Sequence, residues 1–201
     1  MKKIKISELF DIQIGLIVSR KAVDFIERTN NSNYSKYNVL SLKSLTEDNT
    51  INMKYFTEIY TKDIMDKKYL TKENDVIVRL VNPLKSFVVT KELENIVVPS
   101  QLLKLTNKKD NNILSEYVSV YLNLFFNTKK NQKYREDTWL VNSIKQSTVS
   151  DMEIPIIDIK KQEEIINFYK LSKKEISLYK NLAEKKEQLN NKFLQNLIEN
   201  N

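Results

Sequence analysis

From residue 158 to residue 199 the chain contains neither proline nor glycine, and most of the residues there are good helix formers. No other stretch constrains the fold as strongly. With Ile176 set at heptad position a, Tyr169, Ala183, Asn190 and Leu197 share that position, and Ile165, Ser172, Tyr179, Lys186 and Phe193 fall at d. Phe168, Leu182 and Leu189 fall at g and widen the stripe. A 3-4 spacing kept up over about five heptads is the pattern of a coiled coil. About forty helical residues span on the order of 60 Å, far more than an ordinary domain needs. Ser172, Lys186 and Asn190 weaken the seam and are suited to fixing register and partner number. The alternative is a helix folded back on its own domain, which a helix of this length would overhang. The expectation is therefore a dimerisation and spacer helix over 158–201, with Ile165, Tyr169, Ile176, Tyr179, Leu182, Ala183, Leu189, Phe193 and Leu197 toward its partner.

The period changes near Pro155. Upstream, apolar residues come in runs of strand length at 37–42, 75–81, 86–90, 96–98 and 102–105, separated by polar turns. One helix interrupts them at 114–125, where Leu114, Tyr117, Val118, Tyr121 and Phe125 repeat at helical spacing and predict a single buried stripe. The fold class that follows is α+β: a mixed α/β domain over 1–157 with a curved, irregular sheet, then the long helix.

The composition removes much of enzyme chemistry. The 201 residues hold no Cys, no His and one Gly, Gly15. That excludes disulfides, thiol nucleophiles, histidine triads and zinc sites built from thiolate or imidazole. One glycine also excludes the Gly-rich loops that bring backbone close to phosphates. Carboxylate chemistry is left, and it has no constellation. Asn82-Pro83-Leu84 lacks the second proline and aromatic of an amino-methyltransferase motif. Glu184-Lys185-Lys186 has nuclease-like spacing but lies on the long helix, and Glu73 and Asp75 read as a solvated turn. No cofactor and no metal is expected.

The charge points elsewhere. There are 33 Lys+Arg against 26 Asp+Glu, a formal net charge of +7. A Lys, Asn and Ile excess is also what an AT-rich genome produces, so the basic pI near 9.3 is permissive for a nucleic-acid partner. Lys129, Lys130, Lys133 and Arg135, interleaved with amides and Tyr134, run into Trp139, Asn142, Lys145 and Gln146. Cations neutralise phosphates, while Asn, Gln, Ser and Arg reach base edges. Smaller clusters are Arg20 and Lys21 with Arg28, and Ser41, Lys43 and Ser44. The start of the chain has no apolar signal core, and no run is long enough to span a membrane, so the chain reads as cytoplasmic.

Taken in order, these pieces resemble the specificity (S) subunits of type I restriction-modification systems. Ile6-Ser7-Glu8-Leu9-Phe10-Asp11-Ile12-Gln13-Ile14-Gly15 looks like the start of a target recognition domain, with Arg20 where such domains often carry a basic residue. Tyr37-Asn38-Val39-Leu40-Ser41-Leu42-Lys43-Ser44-Leu45 is similar to their second conserved block. Asn74-Asp75-Val76-Ile77-Val78-Arg79-Leu80 resembles the strand that usually opens Gly-Asp, with Asn74 in place of the glycine. Val97-Val98-Pro99-Ser100-Gln101 and the helix around Tyr117 resemble the next two blocks. The most specific stretch is Met152-Glu153-Ile154-Pro155 followed by Lys161-Gln162-Glu163-Glu164-Ile165, where a recognition domain ends and its long helix begins.

The resemblance implies a non-catalytic, sequence-specific DNA-binding subunit. Its recognition domain reads half of a bipartite site, and its helix sets the spacing and docks DNA methyltransferase (modification) subunits. A usual S subunit carries two recognition domains and two long helices, and this chain holds one of each, which implies pairing through the helix, as a homodimer or with a relative. The residues expected at double-stranded DNA are Arg20, Lys21, Lys43, Arg79, Lys129, Lys130, Lys133, Arg135, Asn142, Lys145 and Gln146. A stand-alone modulator of such a system, or a coiled-coil adaptor that reads no DNA, are the alternatives.

Overall fold

A computed structural model describes residues 2–23, 34–46, 50–108, 112–128 and 143–199. The chain divides into two units, residues 1–163 and 164–201. In the first unit, β1 (Lys3–Lys5) runs into the single-turn helix α1 (Ile6–Leu9) and then β2 (Phe10–Ile14). There follow β3 (Ser35–Val39), β4 (Thr57–Thr61), β5 (Val76–Arg79), β6 (Ser86–Val88) and β7 (Leu102–Asn107). The unit closes with α2 (Ser115–Asn127), α3 (Gln146–Asp151), β8 (Glu153–Pro155) and the start of α4 (Ile159–Glu199). The main sheet has the order β2-β7-β5-β6 with every neighbour antiparallel. Two further antiparallel ribbons, β3-β4 and β1-β8, make the sheet system open and irregular.

The apolar run of β5 is continuous because both of its faces are covered. Ile77 pairs with Phe87 across the ladder, and both enter a core with Leu40, Leu45, Val98 and Leu102. Val78 pairs with Ser86 on the opposite face, where α2 lies against β5 and β6. Ser86 donates its hydroxyl to the Ser119 carbonyl at 2.9 Å, and its backbone N–H reaches Asn123 Oδ1 at 2.8 Å. Asn123 Nδ2 returns a bond to the Ser86 carbonyl at 2.8 Å. This pairing changes the helix face that the periodicity predicts. Ser115, Val118, Ser119, Leu122, Asn123 and Phe126 are buried, while Tyr121 and Phe125 are only half-buried. Ser119 and Asn123, satisfied inside the helix–sheet contact, behave as core, which a count of apolar positions does not register.

Two of the runs read as strands form something else. Residues 37–42 supply β3 and then turn at Ser41 into a 3₁₀ turn, Leu42–Ser44. Residues 96–98 make no ladder. Val97 bridges Val39 on one side and Leu70 on the other, because its own backbone groups bond to Asn38 and Leu40 while those of Ile96 and Val98 bond to Thr71 and Tyr69.

The one glycine has a packing role. A Cβ on Gly15 would stand 2.1 Å from the Pro99 carbonyl oxygen and 2.5 Å from that of Val98. The backbone crosses there, with Gly15 N–H bonded to the Leu102 carbonyl and Leu16 N–H to that of Val98. Asn74, which stands where the resemblance expects glycine, has φ 66°, and Asn95 has φ 62°. Asparagine tolerates this left-handed region better than other non-glycine residues, so the turn before β5 forms without its glycine.

Asp158 starts α4: its carboxylate accepts the Lys161 N–H at 3.0 Å, as an N-cap does. One turn on, Gln162 is fully buried. Its Oε1 accepts the Leu114 N–H, and its Nε2 donates to the carbonyls of Asn112 and Ile157. The first turn of the long helix thus belongs to the first unit.

In the second unit the helix continues without interruption to Glu199. Ile166 is buried, but the side chains of the stripe stand open, from 37% exposure at Ile165 to 68% at Leu189, with Ile176, Tyr179, Leu182, Phe193 and Leu197 between. Ala183 is exposed too, and Tyr169 is half-buried, with the Lys173 ammonium 5.6 Å from its ring centre. Leu171 and Leu178, at heptad position c, are exposed as well and lie outside the seam read from the sequence. Among the described residues, no helix is long and apolar enough to cross a membrane.

Candidate nucleic-acid interface

Lys129, Lys130, Lys133, Arg135 and Asn142, with Arg28, Tyr134 and Trp139, lie outside the described residues. The remaining cations expected at DNA fall in two places. Arg20 and Lys21 are exposed at the end of a 3₁₀ turn, Val18–Arg20, whose continuation is tied to β4 by the bond from Val23 N–H to the Tyr60 carbonyl. They line a cleft of about 560 Å³ with Asp63, Asp66 and Lys68. Asp66 and Lys68 pair at 3.1 Å, so this cleft carries both signs of charge.

The second place is assembled from three segments. Lys43 is exposed on the Leu42–Ser44 turn. Lys85 Nζ donates to the Thr46 carbonyl at 3.2 Å, which joins this loop to the β5–β6 turn. Val81 in that turn bridges Ser143, and Ile144 N–H bonds to the Leu80 carbonyl at 2.7 Å. Lys145 follows, exposed, and Gln146 begins α3 half-buried. Segments 41–55, 79–85 and 143–146 hold five cations (Lys43, Lys54, Arg79, Lys85 and Lys145) against two carboxylates, Glu47 and Asp48, which lie outside the described residues. The β3–β4 ribbon separates the two places: Ser35 pairs with Thr61 at one end and Val39 with Thr57 at the other. That is on the order of 13 Å of paired strand.

Several residues do structural work instead of standing free. Ser41 Oγ accepts the Ser44 N–H and donates to the Tyr55 carbonyl at 2.7 Å, and Ser44 is fully buried. Arg79 Nε donates to the Val81 carbonyl at 3.0 Å, and Nη2 to that of Asn82 at 2.7 Å. Partial burial pulls this guanidinium down from its ordinary value. Arg79 thereby holds the turn ahead of Pro83, where the Asn82–Pro83 bond is cis.

Asp75 differs from expectation. It sits in the turn before β5, yet the side chain is 1% exposed. Its carboxylate accepts the Thr106 hydroxyl at 2.7 Å and the Lys72 N–H at 2.8 Å, and Lys104 Nζ stands 3.8 Å away. Lys104 also donates to the Leu70 carbonyl at 2.7 Å. Burial pushes the Asp75 carboxyl above the usual carboxylate range and pulls the Lys104 ammonium down, each opposed by the other's charge. The solvated turn is in fact an internal anchor, because the two donors and Lys104 replace the water it would otherwise need. Among the described residues, no group of three or more Asp or Glu side chains converges as a metal site would require.

The sequence reading passed over Lys54, Met53, Tyr55 and Lys85, which the fold brings beside Lys43 and the 79–85 turn. The interleaving Asn52-Met53-Lys54-Tyr55 was a usable signal. It was masked by the usual assumption that Met and Tyr between strands are core.

No protein-family model matches the sequence, and comparison with curated proteins gives no match. Solved structures do match. A chain of a type I R-M system, from a study of complex assembly and conformational transition, superposes with TM-score 0.60 at 14% identity, over 94% of this chain and 42% of that one. The HsdS subunit from Thermoanaerobacter tengcongensis superposes with TM-score 0.57 at 13% identity, over 90% of this chain and 39% of that one. The chain thus spans about two fifths of the length of each. At these identities the likeness is one of fold, and that fold is the one the motif resemblance implies: a mixed α/β domain followed by a long helix.

Proposed function

We propose that this chain is a non-catalytic, sequence-specific DNA-binding specificity subunit of a type I restriction-modification (methyltransferase) complex. Residues 1–157 form its target recognition domain and 158–201 its dimerisation and spacer helix. The fold likeness over 94% of the chain carries this reading. The three joined segments support it independently: 41–55, 79–85 and 143–146 hold five cations against two carboxylates, Glu47 and Asp48. Lys43 and Lys145 contact phosphates there, and Gln146 approaches base edges; Lys129, Lys130, Lys133, Arg135 and Asn142, outside the described residues, are proposed as further DNA contacts. Arg20 and Lys21 meet the duplex from the other end of the β3–β4 ribbon. Arg79 shapes the turn.

The open stripe on α4 supports pairing with a second copy. Two copies joined through positions a and d present two identical recognition domains, which favours an inverted-repeat, bipartite site. Phe168, Leu171 and Leu178 form a second apolar line roughly 110° around the helix from that seam. A single partner helix does not cover both lines, and the second line suits a methyltransferase subunit.

Selection of random duplexes by gel shift, followed by sequencing, tests the DNA reading. An enriched bipartite motif is expected; no enrichment overturns the reading and favours the adaptor. Lys43→Ala with Lys145→Ala should reduce the salt slope of binding by about 2. Light scattering should give a dimer that Tyr179→Asp with Leu182→Asp converts to monomer, and a monomeric wild type rejects pairing. Co-purification with a methyltransferase subunit separates a specificity subunit from a stand-alone modulator. Cleavage of DNA in Mg²⁺ or Mn²⁺ by the purified chain overturns the non-catalytic assignment.

A further inference from the structure

The described residues of the loop between β3 and β4, 40–46 and 50–56, form a hydrogen-bonded support with a mixed apolar and cationic outer side. Its inner side is filled: Leu42, Ile51 and Phe56 pack against the core around Leu40, Leu45 and Ile77. Hydrogen bonds fix what remains. Ser41 Oγ holds the Tyr55 carbonyl at 2.7 Å, Asn52 N–H bonds to the Ser44 carbonyl at 2.7 Å, and Asn52 Oδ1 accepts the Lys54 N–H at 3.0 Å. The Thr46 and Thr50 hydroxyls meet at 2.7 Å, and Lys85 ties the loop to the β5–β6 turn. On this support Met53 is 59% exposed and Tyr55 46%, side by side with exposed Lys54 and close to exposed Lys43. The 3₁₀ turn Met53–Tyr55 therefore has no room to turn its apolar side chains inward.

We propose that Met53 and Tyr55 are specificity-determining residues that make apolar contact with base edges of duplex DNA, while Lys43 and Lys54 hold the flanking phosphates. This rests on the DNA reading above and extends it to residues it does not name. Three observations carry it. The turn is fixed before binding, so little ordering entropy opposes the contact. Met and Tyr offer large apolar area, of the kind that packs on thymine methyl groups or wedges at a base step. The three joined segments 41–55, 79–85 and 143–146 carry five cations against two carboxylates, a positive balance that favours a nucleic acid over an acid-poor protein face.

The test uses the full chain and the duplex that random selection enriches. Met53→Ser with Tyr55→Ser should weaken binding to that duplex about tenfold or more. Binding to random duplex should stay within about twofold, with the salt slope unchanged, because no phosphate contact is lost. Met53→Leu with Tyr55→Phe should restore most of the affinity. Lys43→Gln with Lys54→Gln should weaken both duplexes and lower the slope by about 2. An unchanged motif and affinity in the serine variant overturns the proposal while the DNA reading stands; failure of the wild type to enrich any motif removes both. Loss of methyltransferase co-purification with DNA affinity intact overturns it in favour of a protein contact. An arm free of folding effects uses wild-type protein and the selected duplex with 5-bromouracil for thymine. Photo-crosslinks are expected at Met53 or Tyr55, and crosslinks confined to other segments overturn the proposal.

Discussion

The two units of this chain use similar residues in opposite ways. In the first, Ile77, Val98, Leu102 and Leu105 are fully buried, and even Asp75, Lys104, Asn123 and Gln162 are drawn inside with partners. In the second, Phe168, Leu182, Leu189 and Ile198 are more exposed than buried on a single helix. Net charge does not separate them: residues 158–201 hold 9 Lys+Arg and 7 Asp+Glu, leaving 24 and 19 for the rest. The difference is one of connectivity. Short runs joined by turns close on one another and satisfy their own apolar faces, whereas one uninterrupted helix cannot fold against itself. Burial in the first unit stabilises a fold, and exposure in the second is stabilisation still available to an association.

Mutations should therefore read out differently in the two units. The largest effect is expected for Gly15→Val, which forces the backbone crossing at Pro99 apart and should cost more than about 3 kcal/mol. Urea unfolding followed by near-UV circular dichroism measures it, and a near-neutral result breaks the account of the single glycine. Lys104→Met should cost about 3 kcal/mol at neutral pH by leaving Asp75 buried without its cation. The Asp75 carboxyl lies above its ordinary value in the fold, so its contribution to stability is present below that ordinary value and is lost as pH rises through the folded one. Removing Lys104 raises the carboxyl further, so the deficit of the variant should be larger near about pH 7 than near about pH 4. An equal deficit at both would mean that the carbonyl bonds of Lys104, not its charge, matter.

Smaller effects probe the junction and the helix. Gln162→Met leaves the Leu114 N–H and two carbonyls without their partner and should cost about 2 kcal/mol. If the first turn of α4 did not belong to the first unit, the midpoint would stay put. Leu182→Ala or Leu189→Ala should change unfolding of the first unit by less than about 0.5 kcal/mol while weakening self-association in sedimentation. A loss of several kcal/mol there would show that the open stripe supports the fold after all.

Much of this was legible in the sequence because it depends on local pattern. The apolar run at 75–81 marked a strand, Asp158 marked the helix start, and the absence of Pro and Gly marked its length. The buried face of α2 was not legible, since Ser119 and Asn123 become interior only when Ser86 is opposite them. Asp75 read as solvated for the same reason: Thr106 and Lys104 lie about thirty residues away in sequence and meet it only across the ladder between β5 and β7. The candidate interface was half legible. Lys43 and Lys145 were visible as cations, but their joining through Lys85, Thr46, Val81 and Ser143 is a product of the fold.

The sequence by itself determined the two-part plan, the long helix with its apolar stripe, and the lack of thiol and imidazole chemistry. Each follows from residue type and short-range period. Only the tertiary structure decided which polar groups go inside, which asparagines take the left-handed turns, why one glycine suffices, and that Met53 and Tyr55 face outward. Those outcomes depend on what residues distant in sequence place against them, and backbone crossings and buried hydrogen bonds leave no period in a chain.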